Sequence, residues 1–146
     1  MRIVLDTASF IAAVRSSRGA AREIVRLILI GEVVPLMDHK LSLEYRDVAL
    51  RPEHLIASGV SKSMVLVFID AIEARAEPIE VEIKHRPMSS DPNDDMILDV
   101  AINGRADALV TNNAKHFVAA GRKFGISVMS PREFLKMPRK GDQHGD

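Results

Sequence analysis

The chain has 146 residues, 47% of them hydrophobic and 27% charged, a balance that fits one globular domain with a single core rather than a disordered or multidomain chain. It contains no cysteine, which removes a disulfide framework, a thiolate nucleophile and a zinc–thiolate cluster, so any metal must be held by oxygen or imidazole. Twenty basic residues against twenty acidic ones leave no net field for a polyanion, so a nucleic-acid partner would have to meet a local basic patch.

No apolar run approaches the roughly 18 residues that span a membrane. The opening MRIVLD turns acidic too early for a signal peptide, so a cytoplasmic protein is expected. RIVLD (2–6) is a short β-branched run of the kind buried on both faces of a parallel sheet, and it ends on a carboxylate. After a polar turn, AAREIVRLILIG (20–31) carries apolar residues at helical spacing and stops at Gly31, where a helix C-terminus favours glycine. VVPLM (33–37) reads as a strand. Asp38 caps a helix predicted from 39 to about 50, ended by Pro52, and Ser61 caps a second amphipathic segment, SKSMVLVFIDAIEARA. PIEVEI (78–83) is the next strand candidate. In SSDPNDDMILDVAING, Asp91 caps a helix with Pro92 at its first position and an apolar face of Met96, Ile97, Val100 and Ala101. DALVT (107–111), a helix from about Asn113, the strand ISVMS (126–130) and the short helix PREFL complete one domain over 1–137, with a polar, flexible tail expected over 138–146.

Strands alternating with helices over this length argue for a parallel sheet covered on both faces. In such sheets ligands bind outside the carboxyl ends of the strands, at a switch point in strand order. Asp6 ends the first strand, Thr111 to Asn113 end the DALVT strand, and Asp94 opens the intervening helix. Pattern alone does not place Glu44. Each acid also has a plainer explanation. Asp91, Asp94 and Asp95 lie in a first helical turn, where the macrodipole favours carboxylates, and Glu44 is equally readable as an exposed helix residue near Lys40 and Arg46. Asp6 is harder to dismiss, because a carboxylate closing an apolar strand is costly to bury without a cation, hydrogen bonds or water.

VLDTASFIAAVRSSRGA, the helix carrying Glu44, DPNDDMILDVAINGRADALVTNNAKHF and ISVMSPREFL, taken in order over residues 3 to about 135, resemble a PIN domain. In particular they are similar to the PIN toxins of type II toxin–antitoxin systems, the VapC-like group. The resemblance implies a three-layer α/β/α fold with a central parallel sheet, and a cytoplasmic endoribonuclease whose acids hold Mg²⁺ or Mn²⁺. Carried over position by position, the catalytic and metal-binding acids are Asp6, Glu44 and Asp94, with Asp95 the alternative because the DD pair leaves a one-residue ambiguity. Asp94 is preferred, since it lies seven residues before Ala101 and so shares a face with it.

Two departures stand out. Many members carry Asn or Ser two residues after the first Asp, whereas here Ala8 fills that place and Ser9 is the nearest polar residue. The fourth acid of the pattern VT-x-D is Asn113, whose amide oxygen can bind a hard cation weakly or through water but brings no charge. A three-carboxylate site is therefore expected. Thr111, Asn113, Ser9, Arg15, Lys115 and His116 are the expected substrate contacts, with Arg18, Arg22, Arg122 and Lys123 as further cations for phosphates. One Tyr and five Phe give no sign of a base-stacking platform. The resemblance also implies an RNA substrate, a cognate antitoxin and a homodimer, for which REIVRLILI offers apolar surface unless that face is core. Two rival readings are a degenerate PIN domain that binds RNA or protein without cutting, and a phosphoacceptor signalling domain. The second shares an Asp at a strand end but lacks an early acidic pair and a Lys closing a late strand.

Overall fold

The computed structural model describes residues 1–84 and 91–138. The expected tail over 138–146 therefore lies, apart from Pro138, outside the described residues. The strands are β1 (Arg2–Leu5), β2 (Val34–Met37), β3 (Glu77–Pro78), β4 (Ala108–Val110) and β5 (Val128–Met129). They form one all-parallel sheet in the order β3-β2-β1-β4-β5. Between β1 and β2 lie α1 (Thr7–Arg15) and α2 (Ala20–Leu29), and between β2 and β3 lie α3 (His39–Ala49), α4 (Pro52–Ser58) and α5 (Lys62–Glu73). The long return from β3 to β4 is α6 (Pro92–Asn103), followed by α7 (Ala114–Phe124) before β5 and α8 (Pro131–Lys136) after it.

Right-handed crossovers place the helices of the run from β1 to β3 on one face and those of the run from β3 to β5 on the other, giving three layers, α/β/α. The packing agrees: α6 lies on β1 and β2, while α1 packs with α2 and α3. Strands sandwiched this way must be apolar on both sides. Ile3, Val4, Ala108, Leu109 and Val110 are all fully buried. The sheet is built outward from β1 in both directions, so the boundary between β1 and β4 is its switch point.

Local chemistry explains where the sequence reading and the structure differ. The segment after Asp6, read as a polar turn, is the helix α1. Its start is fixed by the Asp6 carboxylate, which accepts a hydrogen bond from the Ser9 N–H at 2.8 Å, and Phe10, Ile11, Ala13 and Val14 bury one face of it. Pro52, read only as a stop for α3, is the first residue of a new helix, because a missing N–H costs nothing there. That helix closes on Gly59 at φ 68°, a left-handed conformation that glycine adopts without strain. The strand expected over 78–83 shrinks to Glu77–Pro78. The Ile79 N–H still reaches Met37 O at 2.8 Å, but beyond it the Asn103 side-chain oxygen accepts from the N–H groups of Glu82 and Ile83 where a neighbouring strand would have done so. The REIVRLILI face is core: Ile24, Val25, Leu27 and Ile28 are buried, each fully buried side chain of this size contributing roughly 1.5–3 kcal/mol. Among the described residues no single helix is long and apolar enough to cross a membrane.

Candidate active site

At the switch point the ends of β1 and β4 are joined by hydrogen bonds. The Asp6 N–H donates to Val110 O at 3.1 Å. The Asp6 carboxylate is only 4% exposed, and both of its oxygens are engaged: Oδ1 accepts from the Ser9 N–H and Oδ2 from the Thr111 hydroxyl. Thr111 Oγ1 in turn accepts from the Asn113 N–H at 2.9 Å. One hydroxyl thus couples the acid of the first strand to the amide-bearing turn of the other.

Glu44 is brought to the same place by its neighbour. The Tyr45 hydroxyl donates to Leu5 O at 2.6 Å, and its ring stacks on Phe10 with centroids 4.2 Å apart. Burial, with the charges of Asp6 and Asp38 adding to it, pushes the Tyr45 phenol well above its ordinary range, so it remains a neutral donor. α3 is therefore fixed over the end of β1. On its other flank Arg46 pairs with Asp70 at 2.7 Å and Glu73 at 2.6 Å of α5. Arg46 is thus committed away from Glu44.

A cavity of about 450 Å³ opens here. Asp6, Glu44 and Asp94 supply its acids and Asn113 its amide, Ile11, Val48 and Ile97 its apolar wall, and Arg15 and His54 its basic groups. Asp94 is half-buried, and its carboxyl is held above the ordinary aspartate range, first by burial and then by the charge of Asp91, with Asp6 and Asp95 adding and His116 partly offsetting them. His116 Nδ1 stands 3.6 Å from Asp94 Oδ2, too long for a hydrogen bond but close enough for a charge contact when the ring is protonated. Asp95 is 6% exposed and does not line the cavity. Ser9 and Thr111 are buried and stand behind Asp6, not on the cavity surface, while Lys115 is exposed on α7 outside the lining. Asn113 occupies the N-cap position of α7, yet its side chain makes no capping bond.

Sequence reasoning passed over three polar residues of the lining, Thr7, His54 and Asn93. The signal for His54 was Pro52. Read as a helix start, it places His54 in the first turn of a helix packed on α1 and α3.

The donor set suits a hard divalent cation. All of its acids are carboxylates, and Asp94 is raised first by burial and then by the like charges of Asp91, Asp6 and Asp95, which a cation would offset. Among the described residues no three His, Asp or Glu groups stand close enough to hold one ion together. An ion held here would therefore take one or two carboxylates and complete its shell with water.

The fold and the site together define a class: a parallel α/β domain with an acid-lined cavity at the switch point of its sheet. A family model described as the PIN domain matches residues 2–115, and the chain belongs to the PIN domain family. Its structure is similar to a chain in the crystal structure of VapBC2 from Rickettsia felis bound to a DNA fragment from their promoter, at 16% sequence identity and a TM-score of 0.57, covering 89% of this chain and 98% of that one. At that identity the likeness is one of fold. No curated protein sequence matches the chain significantly.

Proposed function

We propose that the protein is a Mg²⁺- or Mn²⁺-dependent endoribonuclease, the toxin of a toxin–antitoxin pair. The observation that carries this reading is the convergence of Asp6, Glu44 and Asp94, from β1, α3 and α6, on one cavity at the carboxyl edge of the sheet. Family membership and the VapC-like sequence motifs supply the reaction class. Asp6 and Asp94 are the residues that would hold the ion directly, with Glu44 and Asn113 acting through water. A bound divalent ion supplies a Lewis acid and a more acidic water. Ser9 and Thr111 keep both Asp6 oxygens aimed without contacting RNA themselves. Glu44 Oε atoms accept hydrogen bonds from the attacking water and orient it toward phosphorus. Arg15, His116 and Lys115 offset phosphate charge around the cavity. Hydrolysis then adds water across one P–O bond of the strand.

The test is cleavage of a labelled RNA by purified protein with Mg²⁺ or Mn²⁺, against EDTA and an Asp6→Asn control. Cleavage that survives both would come from a contaminant. A second reading, a PIN domain that binds RNA or protein without cutting, is favoured by Asn113 in place of an acid, and divalent-dependent cleavage removes it. The partners proposed are a cognate antitoxin protein and a second copy of the chain. Exposed Ile56, Met64 and Val67 on α4 and α5 support a protein contact.

A further inference from the structure

Basic groups also line the acidic cavity, and we propose that two of them, Arg15 of α1 and His54 of α4, grip a substrate phosphate further along the strand from the one that is cut. The identity of the strand rests on the nuclease reading; the grip itself rests on the geometry of α1 and α4.

Ala8, Ile11, Ala12 and Arg15 all line the cavity, and their spacing of three and four places them on one stripe of α1. The helix therefore runs along the cavity from Asp6 at its cap to Arg15 at its last residue. Nine residues of helix amount to about 13.5 Å along the axis. Between the two ends lie Ile11, Val48 and Ile97, an apolar wall against which a sugar or base can rest. His54 joins the lining from α4, which packs on both α1 and α3.

Neither group is engaged among the described residues. The Arg15 guanidinium forms no ion pair or hydrogen bond among the described residues, whereas Arg2, Arg26, Arg46 and Arg51 are each paired with a carboxylate. The His54 ring likewise has no hydrogen bond among the described residues, and its Nδ1 is buried without a partner. Leaving a buried polar atom unpaired costs about 1–3 kcal/mol, so an imidazole kept here only for packing would be better replaced by an apolar side chain. Counter-charge to the acids is the other explanation. Against it, among the described residues neither Arg15 nor His54 forms an ion pair with Asp6, Glu44 or Asp94, and the cation beside Asp94 is His116. A cavity lined by three carboxylates and also by two basic groups that are unpaired among the described residues suits a strand that brings more than one phosphate to it.

The experiment is fluorescence anisotropy of a 5′-labelled single-stranded RNA oligonucleotide, in EDTA so that nothing is cut, with wild type, Arg15→Leu, His54→Leu and His54→Gln. Loss of one charge-assisted contact should weaken binding about tenfold in each Leu variant, or about 1.4 kcal/mol. Arg15→Leu should also flatten the slope of log affinity against log salt by about 0.7, one phosphate's share on a single strand. His54→Gln keeps a side-chain donor and should stay within about threefold of wild type. Mn²⁺ affinity by calorimetry should be unchanged in all three, and melting temperature should fall in none of them; in His54→Leu it should rise, because the unpaired Nδ1 is gone. The proposal is overturned by RNA binding unaffected in His54→Leu, by equal losses in Leu and Gln accompanied by a lower melting temperature, or by tighter Mn²⁺ binding in His54→Leu, which would mark a counter-charge. Because anisotropy needs no cleavage, the two readings separate: a wild type that binds through these residues but never cuts keeps this inference and loses the nuclease reading. A wild type that cuts while His54→Leu binds normally does the reverse.

Discussion

The two strand ends that meet at the switch point are built alike and used differently. β1 enters α1 through Asp6, buried, capping the helix and held at both oxygens. β4 enters α7 through Asn113, at the same capping position but exposed and with no side-chain capping bond. A carboxylate fixed by two donors keeps its place whether or not an ion arrives. An uncommitted amide can adapt to one, but contributes a dipole where a charge would act over distance. On the proposed metal-dependent reading, the β1 junction sets where the ion sits and the β4 junction how strongly it is held.

The sharpest way to break this comparison is Asp6→Asn. Asparagine is as good an N-cap as aspartate, so stability should change by no more than about 1 kcal/mol. Removing the charge should lower single-turnover RNA cleavage by more than about 100-fold, beyond the 10–100-fold typical for residues that only support a ligand. Near-normal cleavage would show that the pinned carboxylate is merely a cap. Thr111→Val probes the link between the junctions, since one hydroxyl serves Asp6 and the Asn113 N–H. About a tenfold loss of cleavage and a destabilisation of about 1–3 kcal/mol are expected, read by kinetics and urea unfolding.

Asn113→Asp tests the other side. It should tighten Mn²⁺ binding several-fold by calorimetry, and equal affinities would put Asn113 outside the reach of the ion. The smallest effect is on pH dependence, through the third wall of the cavity. Asp94 has its folded-state value raised by burial and by Asp91, so the fold disfavours its charged form relative to the unfolded chain. A group raised in this way contributes stability at low pH that is lost as pH rises through its folded value. At pH 7 without metal, Asp94→Asn should therefore melt a few degrees higher than wild type, and the gain should vanish below about pH 3.9, the ordinary aspartate value. A gain that persists at pH 3 would point to packing, not charge.

Much of this was legible in the sequence because several local signals agree. The Asp91 cap and Pro92 start α6 where expected, Ser61 caps α5, and Asp38 caps α3 by accepting from the Leu41 N–H at 2.8 Å. Asp6 was readable as a strand-end acid, but its second duty as the cap of α1 was not, since TASFIAAVR is short and its helix depends on that cap and on tertiary burial. α4 was lost because its capping position, Arg51, offers no side-chain bond, and His54 was lost with it. Glu44 could not be placed from pattern at all. Its position depends on the hydrogen bond from the Tyr45 hydroxyl to Leu5 O, forty residues away in sequence, which no local periodicity encodes. The edge strand β3 shortened because Pro78 has no N–H to donate and Asn103 takes the bonds that follow.

The most direct measurement is where a divalent ion binds. Sub-stoichiometric Mn²⁺ added to isotopically labelled protein broadens the amide resonances nearest the ion, whether or not the protein cuts anything. Broadening centred on Thr7, Ala8, Asp94 and Asn113, and abolished by Asp6→Asn, is the expected result. Broadening centred instead on the paired cluster of Arg46, Asp70 and Glu73, or the same pattern undiminished in Asp6→Asn, would contradict a metal site at the switch point.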